Sequence, residues 1–137
     1  MKIPTKKVMI FGTFDGLHDG HRSLVKQAQE RGSVVAVVGV SSNVRMIKNR
    51  LPLFSTEERM HALAIEFPDI SVIAGSTKDF LTPLREEKPD LLLLGYDQIL
   101  PPGVTIADLQ CPWERAEALQ PHINKSSLLA KKRPEAV

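Results

Sequence analysis

Hydrophobic residues along this chain fall into two patterns. Short apolar runs, Val8 to Phe11, Val34 to Val40, Ile70 to Ala74 and Leu91 to Leu94, alternate with segments whose apolar positions recur every three or four residues. Continuous β-branched or leucine runs of this length predict strands covered on both faces. The periodic segments predict helices. The first runs from His21 to Glu30 and is closed by Arg31-Gly32. A second opens on the capping-box pattern Ser55-Thr56-Glu57-Glu58 and continues to about Ile65, with Met60, Leu63 and Ala64 on its inner face. A third spans Asp79 to Glu87, with Pro83 setting its start or a kink.

Beyond residue 98 the pattern weakens. Pro101-Pro102-Gly103 reads as a turn, and Thr105 to Gln110 as a short edge strand or a loop. Trp113 to Leu119 and Asn124 to Lys132 read as helices, the last fraying toward the C-terminus. Strands alternating with helices imply an α/β fold: a parallel sheet with helices on both faces, in one domain spanning residues 1–137. Such open sheets bind ligands beyond the carboxyl ends of their strands, where the strand order reverses.

Composition narrows the function classes. A chain of 137 residues, 42% hydrophobic and 25% charged, suits one compact soluble domain. No apolar run reaches a membrane-spanning length, and no apolar signal core precedes the first strand, so the expected partners include no membrane. One cysteine, Cys111, allows neither an intrachain disulfide nor a Cys-x-x-Cys metal site. Together these features point to the cytoplasm. A net charge of +2 is too small for a broad nucleic-acid surface, so basic residues are expected to act locally, around one anionic ligand.

The densest chemistry lies directly after the first strand, in Gly12-Thr13-Phe14-Asp15-Gly16-Leu17-His18-Asp19-Gly20-His21. A glycine-rich loop leading into a helix start suits a triphosphate, because backbone N–H groups and the positive end of the helix dipole face the anion. Two imidazoles one turn apart can meet negative charge that develops on a phosphate during reaction. The rival readings of the pair are polar residues at a helix start and a zinc site, but no third metal ligand stands out. Asp15 also suits a turn that bonds its own backbone, and Phe14 suits packing beneath the loop. His61 reads as a surface residue, Cys111 as a small inert hydrophobe, and Trp113 as either core or lid.

This segment resembles the GTFD-x-x-H-x-G-H signature of the cytidylyltransferase-like nucleotidyltransferases. That family includes glycerol-3-phosphate cytidylyltransferases and FMN adenylyltransferases. The resemblance covers the first 98 residues and the last helix. Leu94-Gly95-Tyr96-Asp97-Gln98 is similar to the LGYDQ segment of archaeal FMN adenylyltransferases, and Lys125-Ser126-Ser127-Leu128-Leu129 to the KSSLL segment of FAD synthetases. The resemblance implies a Rossmann-like domain of strand order 3-2-1-4-5, which brings the Gly95–Asp97 turn opposite the glycine loop.

It also implies nucleotidyl transfer from ATP or CTP to a phosphate-bearing acceptor, with Mg²⁺, release of pyrophosphate and a possible homodimer. The acceptor is FMN, or alternatively glycerol phosphate or a similar phosphate alcohol. A binding domain without catalysis is the reading of another class. Catalysis falls to His18, His21 and Lys48, the last taken from the basic loop Arg45 to Arg50, which also reads as a solvated charge run. The nucleotide falls to Gly12, Thr13, Phe14, His18, His21, Gly95, Asp97, Ser126 and Ser127, with Asp97 also the metal ligand. Asp15 and Arg59 face the acceptor, although Arg59 reads equally as a surface arginine. The chain departs from the family at Gln120-Pro121-His122, where cytidylyltransferases carry an arginine; Arg115 and Lys125 are the basic residues near enough to substitute.

Overall fold

A computed structural model describes residues 6–40, 52–76, 80–101 and 103–118. Five parallel strands form one sheet: β1 (Lys7–Gly12), β2 (Ser33–Val38), β3 (Ser71–Ala74), β4 (Leu91–Leu94) and β5 (Trp113–Arg115). Their order is β3-β2-β1-β4-β5, as the family resemblance implies. The helices are α1 (Asp19–Arg31), α2 (Thr56–Glu66), α3 (Thr82–Glu87) and the short α4 (Ile106–Leu109).

Strand residues alternate between two cores, which is why the runs are apolar throughout. Val8, Ile10, Val34 and Ala36 pack with Leu24, Val25 and Ala28 of α1 and Leu63 of α2. Met9, Phe11, Val35 and Val37 pack on the other face with Leu84 of α3 and Leu109 of α4. The capping box of α2 forms as read: Glu58 N–H donates to Ser55 Oγ at 3.0 Å, and Ser55 N–H to Glu58 Oε1 at 2.9 Å. Pro83 lies in the first turn of α3, where its missing N–H costs no intrahelical bond.

Three readings are corrected. Residues 105–110 hold neither strand nor open loop but α4, capped by Thr105 and Asp108 and anchored by the buried Leu109. The segment from Trp113 is not helical: Trp113–Arg115 is β5. Its structure comes from pairing, since Leu92 N–H donates to Pro112 O at 2.9 Å and Ala116 N–H to Leu94 O at 2.7 Å. Ala64 is exposed, and the buried stripe of α2 and its cap is Arg59, Leu63 and Phe67. The Asn124–Lys132 helix lies outside the described residues, as do Lys48, Ser126 and Ser127.

Phe14 follows β1 and turns back beneath its own loop, 1% exposed and with a left-handed backbone (φ 53°). That conformation costs a non-glycine residue roughly 1–2 kcal/mol, offset here by burying a whole phenyl ring. Gly12 is what admits the ring: a Cβ there would lie 2.8 Å from Phe14 Cε2 and Cζ. Gly12→Ala is therefore expected to lower stability by about 1–3 kcal/mol through overpacking, measured by urea denaturation. An unchanged midpoint would mean the loop has room that the geometry does not show.

Candidate active site

The N-terminus of α1 is built by its two histidines. His18 is the N-cap residue, with an extended backbone, and its Nδ1 accepts from Gly20 N–H at 3.0 Å and His21 N–H at 3.4 Å. His21, three residues on, returns the bond: its Nδ1 accepts from His18 N–H at 3.3 Å. This is a capping box made of imidazoles instead of Ser and Glu. Two consequences follow. Both Nδ1 atoms act as acceptors, so each neutral ring carries its hydrogen on Nε2. The rings also stack, with centroids 3.7 Å apart and planes 20° from parallel, His18 exposed and His21 buried.

Gly20 permits this closure. A Cβ at that position would lie 2.9 Å from His18 Cε1, so any side chain would push the ring off the helix start. Below, Phe14 contacts His21 with ring centroids 5.2 Å apart. The pair thus rests on a buried aromatic floor.

Asp15 does not bond its own turn. Its carboxylate accepts from Leu53 N–H at 2.8 Å and Phe54 N–H at 3.0 Å, clamping the segment that leads into α2. Arg59 answers from α2. It is not a surface residue but 1% exposed, and it donates to Thr13 O (2.8 Å), Gly39 O (2.7 Å) and Phe54 O (3.0 Å), with Thr56 Oγ1 at 3.2 Å. Desolvation pulls its pKa below the ordinary guanidinium value, while the Asp15 and Glu57 carboxylates act against that fall. The side chain stays charged at any neutral pH. Asp15 and Arg59 therefore act as a reciprocal latch between the glycine loop and the segment before α2.

On the opposite wall, Gly95 to Gln98 form a turn closed by Gln98 N–H to Gly95 O at 3.1 Å. The glycine loop and this turn, eighty residues apart in sequence, meet because β1 and β4 are neighbours. Gln98 Nε2 donates to Phe11 O at 3.2 Å, joining this turn to the end of β1, where the glycine loop begins. Asp97 Oδ1 is buried and has no hydrogen-bond partner among the described residues. Arg115 Nη1 donates to Gly95 O at 3.0 Å and Gln98 O at 2.8 Å, which gives it a bracing task on this turn. The sequence marks Gln98 only as the end of the LGYDQ resemblance and gives it no role, because that role depends on a partner in another strand.

Among the described residues no group of three His, Cys, Asp or Glu could hold a metal by itself, and no helix is long and apolar enough to cross a membrane. His61 is exposed, and half-buried Cys111 packs against the α3/α4 core, where desolvation pushes its thiol pKa up.

Residues 9–125 match the family model described as Cytidylyltransferase-like. The chain belongs to the cytidylyltransferase-like family. Within that family it is 36% identical over 92 residues to an FAD synthase of Methanosarcina mazei, covering 67% of this chain and 60% of the relative. It is 35% identical over 97 residues to an FAD synthase of Methanopyrus kandleri, covering 68% and 64% respectively. The chain thus spans 60–64% of the length of these curated relatives. Among solved structures, a lipopolysaccharide core biosynthesis protein from Thermoplasma volcanium GSS1 superposes with a TM-score of 0.74 at 28% identity, covering 85% of this chain and 100% of that one.

Proposed function

We propose that this chain is a nucleotidyltransferase that moves the adenylyl group of ATP onto the phosphate of FMN, forming FAD and releasing pyrophosphate. The observation that carries the reading is the imidazole pair that caps α1 through Nδ1. The cap fixes the tautomer, so an exposed His18 carries its Nε2–H donor at the positive end of a helix. A phosphate oxygen of the acceptor attacks the α-phosphorus, and the bond to the bridging oxygen of the leaving pyrophosphate breaks. The protein supplies alignment and charge, with no protein nucleophile.

The backbone at Gly12, Thr13 and Phe14, curled by the left-handed Phe14, forms the phosphate cradle. His18 donates to the triphosphate, and His21 holds the His18 ring from below. Asp97 would hold Mg²⁺, since a buried carboxylate oxygen with no donor among the described residues suits a hard cation. When bound, the ion would add positive charge beside the phosphates. Lys48 adds a further charge, and Ser126 and Ser127 hold the β- and γ-phosphates. Asp15 and Arg59 serve the acceptor side by fixing its wall. FMN and ATP are favoured by the 33–36% identity to archaeal FAD synthases.

The test is a pyrophosphate-release screen of ATP and CTP against FMN and glycerol 3-phosphate. Turnover only with ATP and FMN is expected. Faster turnover of CTP with glycerol 3-phosphate would replace the substrates, and nucleotide binding with no turnover would leave a binding domain. ATP at 100 times its dissociation constant should add about 2.7 kcal/mol to stability.

A further inference from the structure

We propose that Gln98 is a positioning residue that holds open the crevice between β1 and β4, its carboxamide taking the place of a missing rung of the ladder. The inference rests on the reading that this crevice receives the nucleotide. β1 pairs with β2 along all six of its residues, Lys7 to Gly12, but with β4 only at Val8↔Leu91 and Met9↔Leu92. Both strands continue past that point, β1 to Gly12 and β4 to Leu94, so they part at their carboxyl ends. In a parallel ladder the backbone groups of alternate residues face alternate neighbours. Gly12 O accepts from Gly39 N–H, on the β2 side, and Leu94 O accepts from Ala116 N–H, on the β5 side. Phe11 O and Gly95 N–H are therefore the groups that face each other across the parting strands.

They do not bond directly. Gly95 N–H donates to Gln98 Oε1 at 2.9 Å, and Gln98 Nε2 donates to Phe11 O at 3.2 Å. One hydrogen bond has become two in series with an amide between them, which widens the gap while satisfying both backbone groups. A carboxamide suits this insertion because it carries an acceptor and a donor on one planar head and needs no change of protonation to do so. Arg115 fixes the other side of the same turn through the carbonyls of Gly95 and Gln98. Asp97, between them, is thereby held at a set distance from the glycine loop.

Gln98→Met keeps the length and removes both bonds, and Gln98→Glu keeps the acceptor but sets an oxygen against Phe11 O. In both variants the expected KM for the nucleotide rises about tenfold or more, with kcat and the KM for the acceptor within about threefold. In Gln98→Met the Gly95 amide exchanges its hydrogen at least tenfold faster by NMR. Unchanged nucleotide KM in both variants, even with a lower melting temperature, would make Gln98 a structural strut only and overturn the proposal. Should the wild-type chain bind neither ATP nor CTP, the functional reading fails, while unchanged Gly95 exchange in Gln98→Met would separately refute the inserted rung.

Discussion

Replacing His18 with alanine is expected to lower nucleotidyl transfer about 10²-fold or more, the effect of deleting one donor aimed at transition-state charge. The same change removes the N-cap of α1, which costs about 0.5–2 kcal/mol of stability, so a lost rate by itself would be ambiguous. His18→Asn separates the two. Asparagine is among the best N-cap residues, and its side-chain oxygen can accept the Gly20 and His21 N–H bonds that His18 Nδ1 accepts now. It is too short to place a donor where His18 Nε2 lies. The expected pattern is a near-wild-type melting temperature with a rate as low as that of His18→Ala. Gly20→Ala should resemble His18→Ala in rate, because the new Cβ displaces the His18 ring, and its cap with it, without touching the core. Wild-type rates in His18→Asn would remove the imidazole from the chemistry and leave it as a cap.

Much of the fold could be read from the sequence because burial on both faces leaves no alternation. The runs at Val8, Val34 and Leu91 have no polar face to hide, and the Ser55/Glu58 box marks its helix locally. The chain beyond Gln98 resisted for the opposite reason. β5 is short and exposed, and it exists because Pro112 and Ala116 find backbone partners on β4. Nothing within Trp113-Glu114-Arg115 announces that pairing, and intrinsic preference is easily overridden by it.

The same division runs through the site. The histidine pair is visible as spacing, but its tautomer is not, since that depends on which backbone N–H groups each ring accepts. The glycines are visible as a motif, yet two of them answer to aromatic rings, Gly12 to Phe14 and Gly20 to His18. Arg59 carried a legible signal that charge obscured: it stands four and eight residues before Leu63 and Phe67, on the buried stripe of α2 and its cap. Asp15 was legible as a turn residue and misassigned only in its partners, which lie across the loop at Leu53 and Phe54.

Arg59→Ala is expected to cost about 3–5 kcal/mol, a large share of a small domain's roughly 5–15 kcal/mol. The guanidinium is the donor for three buried or half-buried carbonyls, those of Thr13, Gly39 and Phe54. Truncation leaves these acceptors without their partner and opens a cavity beside Leu63, and either loss alone costs on the order of 1–3 kcal/mol. Lysine keeps the charge but not the fork, so it can reach one or two of the carbonyls, and Arg59→Lys should lose about 2–3 kcal/mol. Asp15 holds the same latch from the other side, so Asp15→Asn and Arg59→Lys should be non-additive in a double-mutant cycle, by about 0.5 kcal/mol or more. Urea denaturation of the wild type and these four variants measures all of this. The contrary result is specific: an Arg59→Ala protein with the wild-type urea midpoint but no transfer activity. That outcome would place the arginine on the acceptor phosphate and dissolve the latch. A large stability loss, with transfer surviving in Arg59→Lys at low temperature, follows only if the side chain works by holding the glycine loop against α2.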